Sequence, residues 1–197
     1  MTSKITIQKI FIFIFSVIFC ICGGVKSCLK AKPPNRHGVE PIKFLQNEIR
    51  LTKDNRVGYI QRLSTEWKIS FKLKYVAHNP PSYGTNTLFL KGTFNYPAIQ
   101  GYAGTSKLDI THRISSGINN RFVSDILTLN KYYSIELEQR YISNGNYKYS
   151  IKIDGIEKHS VINNDAQQIY NVEIYASHHT RIPSPADMKD LEITNFL

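Results

Sequence analysis

Glu136 and Glu138 stand two residues apart in YYSIELEQRYISNGNYKYSIKIDG, Tyr132 to Gly155. On a β-strand, side chains alternate between faces, so the two carboxylates share one face. Retaining glycosidases hold a carboxyl pair about 5–5.5 Å apart, and neighbours on one strand face come close to that spacing. The same pair also suits an ordinary solvated strand. The strand opposite decides between the two.

Tyr133, Ile135, Leu137, Gln139 and Tyr141 fall on one face, and Tyr147, Tyr149, Ile151 and Ile153 on the matching face of the next strand. Both sets turn the same way when Tyr141 pairs with Tyr147, Leu137 with Ile151 and Ile135 with Ile153. That register predicts a three-residue loop, Ser143-Asn144-Gly145, with Gly145 in the left-handed position that glycine suits. It sets Glu136 against Lys152, a cross-strand ion pair contributing about 0.2–1 kcal/mol. Glu138 falls opposite Ser150, with Lys148 and Lys152 on the diagonals. The alternative register puts Glu136 against Asp154, which is unfavourable. The two glutamates therefore read as a charge-paired wet face of a hairpin.

The elements around this hairpin repeat its two-residue period. EWKISFKLKY alternates Trp67, Ile69, Phe71, Leu73 and Tyr75 against Glu66, Lys68, Ser70, Lys72 and Lys74. TLFLKGTF, SKLDITHRI, RFVSDILTL, IEKHSVI, IYNVEIYAS and DLEITNF follow, with HNPPSYGTN and SGINN as breaks. EPIKFLQNEIRLTKD admits either a short helix from Pro41 or a first strand at Ile49–Leu51. With no long 3.6-residue period, short strands between turn signals predict an all-β, two-sheet antiparallel sandwich.

The 197 residues are 42% hydrophobic, with 12 Tyr and 10 Phe, enough for a core. Lys4 and Lys9 precede an apolar run, Ile10 to Val25, and Ser27 offers a small cleavage residue. The run is short for a bilayer span, so residues 1–27 are expected to be a signal peptide, with a signal-anchor as the alternative. No second run of spanning length follows. Residues 28–54 read as a basic, Pro-containing linker with a possible first strand or short helix, and 55–197 as the sandwich. The expected location is secreted. Cleavage after Ser27 removes Lys4, Lys9 and Lys26 and no acid, leaving 22 basic residues against 15 acidic, a net of +7. Such an excess favours polyanions, acidic proteins or headgroups. A secreted chain rarely meets nucleic acid, so that partner is set aside. Cys20 and Cys22 lie in the leader, so the mature chain keeps Cys28 alone. It has no internal disulfide, and Cys28 is available to join two chains.

TEWKISFKLK, the YYSIELEQR…YKYSIKIDGIEKHSVIN hairpin, NVEIYAS and LEITNF together resemble the LamG-like, concanavalin A-like lectin/glucanase jelly rolls of secreted animal proteins. The resemblance spans about Asn55 to Phe196. It implies two curved antiparallel sheets and extracellular binding of glycans or proteins, often near a rim calcium. The glucanases of that superfamily carry Glu-x-Asp-x-Glu on one strand. Here Glu136 and Glu138 match the first two positions, but Arg140 or Tyr141 stands at the third. The acid/base is missing, and a degenerate glycoside hydrolase is the remote alternative. The galectin pattern His-x-Asn-x-Arg is also missing, and Trp67 on the Ile69/Phe71/Leu73 face reads as core.

Calcium needs several hard oxygens at short spacing. Asn163, Asn164 and Asp165 supply some, but read first as a turn, so calcium is possible and no cofactor is expected. His178 and His179 have no partners at zinc spacing. No nucleophile elbow or phosphate loop occurs. What remains for binding is a basic stripe, Lys68, Lys72 and Lys74, and three tyrosines in Gly/Pro-bearing loops, Tyr83, Tyr96 and Tyr102, whose rings suit sugars. The expectation is a non-enzymatic extracellular module for glycans or anionic polysaccharide, with a protein-interaction or adhesion module as the alternative.

Overall fold

The alternating pattern becomes thirteen strands in the computed structural model, which describes residues 39–93, 97–114, 118–178 and 180–196. In chain order the first seven are β1 (Ile42–Leu45), β2 (Ile49–Arg50), β3 (Arg56–Leu63), β4 (Trp67–Tyr75), β5 (Thr85–Lys91), β6 (Ala98–Gly101) and β7 (Leu108–Ile114). The rest are β8 (Ile118–Val123), β9 (Tyr133–Ser143), β10 (Asn146–Ile153), β11 (Ile156–Asn163), β12 (Ile169–Tyr175) and β13 (Ala186–Asn195). They form two antiparallel sheets. One runs β1-β13-β4-β9-β10-β11, with β2 also on β13; the other runs β3-β12-β5-β6-β7-β8. The leader, its alternative as an anchor, and Cys28 lie outside the described residues.

Residues 42–45 and 49–50, ahead of Asn55, are strands, and both β1 and β2 pair with β13. Phe44 closes this side of the sandwich. A Cβ added at Gly58 of β3 would overlap the Phe44 ring, so the glycine makes room for it.

The β9–β10 register matches the expected one, with Tyr141 opposite Tyr147, Leu137 opposite Ile151 and Glu136 opposite Lys152. The loop differs. Ser143 pairs with Asn146, leaving only Asn144 and Gly145 between the strands, at φ 51° and 79°. Two consecutive left-handed residues make the type I′ turn that Asn-Gly favours. The extra residue goes into an irregularity beside Tyr147 instead of into the loop. Asp154-Gly155 repeats the device between β10 and β11, at φ 51° and 77°. The strand expected over RFVSDILTL stops at Val123. There Ser124 Oγ accepts from Leu108 N at 2.9 Å and donates to Asp125 O at 2.7 Å, and these bonds replace the ladder.

The inner faces meet in one core that includes Leu63, Phe71, Leu90, Ile110, Leu137, Ile151 and Ile174. Burying each such side chain contributes about 1.5–3 kcal/mol. Trp67 is 1% exposed and packs edge-on to His112 at 5.6 Å, while His112 stacks on Tyr149 at 4.3 Å. Trp67 is thus core. Beside it runs a buried polar chain. His112 Nε2 meets Gln139 Oε1 at 3.1 Å, Asn163 Nδ2 donates to the same oxygen at 2.8 Å, and Gln139 Nε2 donates to Thr65 O at 2.7 Å. Burial pushes the His112 imidazole down to about 4, opposed by its bond to Gln139. No helix among the described residues is long and apolar enough to cross a membrane.

Candidate functional site

The two outer faces differ in chemistry. On the β1–β11 sheet, Lys68, Lys72 and Lys74 line up along β4 and each has a carboxylate partner. Lys68 Nζ lies 4.0 Å from Glu136, Lys72 Nζ 3.0 Å from Asp190, and Lys74 Nζ 3.2 Å from Glu48 and 3.1 Å from Asp187. The hydrogen bonds it donates to Asp187 and then to Glu48 raise the Lys74 ammonium above its ordinary range. Lys152 bridges Glu136 and Glu138 at 2.7 and 3.8 Å. Arg140, at the position where a third catalytic acid would stand, binds the buried Glu66 at 3.1 Å and lies 3.8 Å over the Phe196 ring. This face is a lattice of mutually satisfied charges.

Tyr83 and Tyr102, two of the three expected tyrosines, lie on loops of the other sheet. β5 begins opposite the end of β6, with Thr85 against Gly101, so Tyr83 and Tyr102 adjoin neighbouring strand ends. Tyr83 is 51% and Tyr102 39% exposed. The Arg121 guanidinium lies 5.7 Å from the Tyr102 ring. Tyr96 lies outside the described residues. Thus the structure places Tyr83 and Tyr102 on adjoining loops and the lysines on the opposite sheet.

A second candidate site occupies the outer face of β3, β12 and the end of β5. Tyr59, Lys91, Gly92, Thr93, Tyr170, Asn171 and Glu173 border an open groove of about 390 Å³. Tyr59 and Tyr170 are 47% and 48% exposed. Each ring is held at its hydroxyl: Tyr59 donates to Asn171 Oδ1 at 2.8 Å and Tyr170 to Gln168 Oε1 at 2.7 Å. In the register, Glu173 is flanked by Tyr59 on β3 and Lys91 on β5. Its carboxylate accepts from Tyr175 Oη at 2.9 Å and Lys91 Nζ at 3.1 Å, with Arg56 Nη1 at 3.4 Å. The Tyr175 hydroxyl, then Lys91, hold that carboxyl below its usual range. A cation, a carboxylate and a side-chain amide thus border the same groove as two half-exposed rings.

The local backbone explains the grouping. Asn171 stands at φ 54°, a conformation that Asn adopts more readily than most residues. The burial alternation breaks there: Ile169 and Val172, three apart, are both buried. Tyr170 and Glu173, also three apart, consequently reach the same groove. A strict two-residue period puts them on opposite faces, and so conceals the site in the sequence. The one legible signal was Tyr59 among the polar residues of RVGYIQRL.

No protein-family model and no curated protein matches this chain. Solved structures do. The receptor binding domain of botulinum neurotoxin D is similar over 80% of this chain and 45% of its own, at 10% identity and TM-score 0.55. The serotype D ligand binding domain in complex with N-acetylneuraminic acid is similar over 80% and 43%, at 11% identity and TM-score 0.50. An endo-β-1,4-glucuronan lyase from the fungus Trichoderma reesei is similar over 83% and 78%, at 10% identity and TM-score 0.49. The likeness is one of fold. For the two neurotoxin domains it agrees with the two-sheet antiparallel sandwich described above, and the chain spans under half the length of those domains.

Asn163, one of the residues weighed for calcium, is buried, and its Oδ1 accepts from Asp165 N at 3.0 Å, shaping the turn after β11. His178 stacks on Phe89 at 4.7 Å, and His179 lies outside the described residues. Among the described residues no group of three or more His, Cys, Asp or Glu could hold a metal.

Proposed function

We propose that this chain is a secreted, non-enzymatic recognition module that binds a glycan across the outer face of the β3–β12–β5 strands. The groove between Tyr59 and Tyr170 carries the reading. Sugars present an apolar C–H face and a rim of hydroxyls. Rigid tyrosine rings offer apolar area at small entropic cost, and Lys91, Asn171 and Glu173 supply donors and acceptors beside them. The Lys68/Lys72/Lys74 stripe is a weaker candidate for an anionic polysaccharide, because its charge is already matched by Glu136, Asp190, Glu48 and Asp187. Tyr83 and Tyr102 stand at the other end of β5, about 20 Å away at ~3.3 Å per residue, within reach of a longer chain of sugars. A jelly-roll fold like that of a domain seen with N-acetylneuraminic acid is compatible with this reading.

A glycan array, run with and without calcium, tests it. The expected result is one or more neutral or anionic glycans bound by the native chain and at least tenfold weaker binding by Tyr59→Ala/Tyr170→Ala, since truncating an interface anchor typically removes over ~1 kcal/mol. The Lys68/Lys72/Lys74→Ala variant is expected to keep that binding. No glycan bound, or binding untouched by the tyrosine changes, would reject the groove.

A further inference from the structure

At the edge formed by β8 and β11 the core opens to the surface. Phe122, Ile126, Leu127, Ile153 and Ile156 help line a hollow of about 340 Å³. Its floor is core: Leu127 and Ile153 are 4% and 6% exposed. Its lips are not. Ile126 at 64% and Ile156 at 61% are the most exposed large apolar side chains among the described residues. Three charged residues border the hollow: Asp154, whose carboxylate accepts from Ser134 N at 2.8 Å, and one more from each sheet. Asp125 follows β8 and Lys158 lies in β11, with Nζ and Oδ2 3.8 Å apart. Asp125 is 90% and Lys158 38% exposed at the side chain, so the pair is loose and wet.

We propose that this hollow is a self-association face, on which a second copy of the chain docks about a two-fold axis. A two-fold interface must be complementary to itself, because each residue meets its partner's counterpart. This patch meets that condition. It has an apolar centre with an acid and a base on separate elements, so Asp125 of one copy can face Lys158 of the other. The lips of each copy then cover the other's hollow and remove apolar area from water. Exchanging the intramolecular pair costs little, since an exposed ion pair contributes about 0–1 kcal/mol. β8 is at the far edge of its sheet from β3, so this face and the glycan groove are separate. The face also needs no link through Cys28.

Sedimentation of the secreted chain across a concentration series, under reducing conditions, is the test. The native chain is expected to move from monomer to dimer. Asp125→Lys and Lys158→Asp are each expected to weaken dimerisation at least tenfold, because each sets like charges against one another. An equal mixture of the two variants restores both opposed pairs and is expected to recover a heterodimer. Ile126→Asp is expected to give monomer, with melting temperatures showing that all variants fold. A native chain monomeric throughout overturns the proposal, as does a mixture no better than its components. Glycan binding unchanged in monomeric Ile126→Asp would show that the two faces act independently.

Discussion

Lys152 Nζ donates to Glu136 Oε1 at 2.7 Å directly across β9 and β10. The same ammonium lies 3.8 Å from Glu138, so one cation serves both carboxylates. The Glu136 hydrogen bond raises the Lys152 ammonium above its ordinary range. Glu136→Gln is expected to lower stability by under ~1 kcal/mol in urea unfolding, as for other exposed pairs. It is also expected to leave glycan binding intact. A glucanase activity that vanished in this variant would overturn the non-enzymatic reading.

Glu66 should behave otherwise. It is 4% exposed and accepts from Tyr141 N at 2.8 Å as well as from Arg140. Glu66→Ala leaves a backbone N–H and a guanidinium without this acceptor, and such losses from a buried pair run to about 3–5 kcal/mol. A fall of that order in denaturant unfolding is expected, with the melting temperature dropping in step.

His112 gives a pH dependence. Its folded value of about 4 lies below the usual ~6.5 of an unfolded histidine. Between those values the unfolded chain binds more protons, so stability falls as pH drops from ~6.5 toward ~4, by about 3 kcal/mol in all. Trp67, Tyr149 and Gln139 surround the ring, and Arg113 and Asp165 share the cleft beside it. A His112→Gln variant is expected to lose most of the slope between pH 6.5 and 5. An unaltered slope there would assign the effect elsewhere.

Gly58→Ala tests whether β1 is part of the sandwich. Its methyl group displaces Phe44, so a loss of about 1–3 kcal/mol is expected, the usual range for overpacking. Phe44→Ala in the same chain should relieve the clash, so the double variant should lose less stability than the sum of the two single losses.

The period of two in β4, β9 and β10, the Asn-Gly and Asp-Gly turns, and the opposed charges of Glu136 and Lys152 are local signals. Side-chain alternation and turn chemistry depend on near neighbours, and for that reason the hairpin register and the sandwich class were legible from sequence alone. The loop length was misread by one residue, because an irregularity in pairing can absorb a residue that counting assigns to the turn. Function was less legible. The lysines of β4 do share a face, but their neutralisation by Glu48, Asp187 and Asp190 depends on β13 lying beside β4 and on the β1–β2 segment lying beside β13. Tyr59 and Tyr170 are 111 positions apart and border one groove only because β12 pairs with β3 and the left-handed Asn171 breaks the alternation. The hollow at Ile126 and Ile156 likewise needs two sheet edges to end side by side. Periodicity settles which face of a strand a residue takes; only the tertiary fold decides which faces become neighbours, because pairing between distant strands is set by the packing of the whole core.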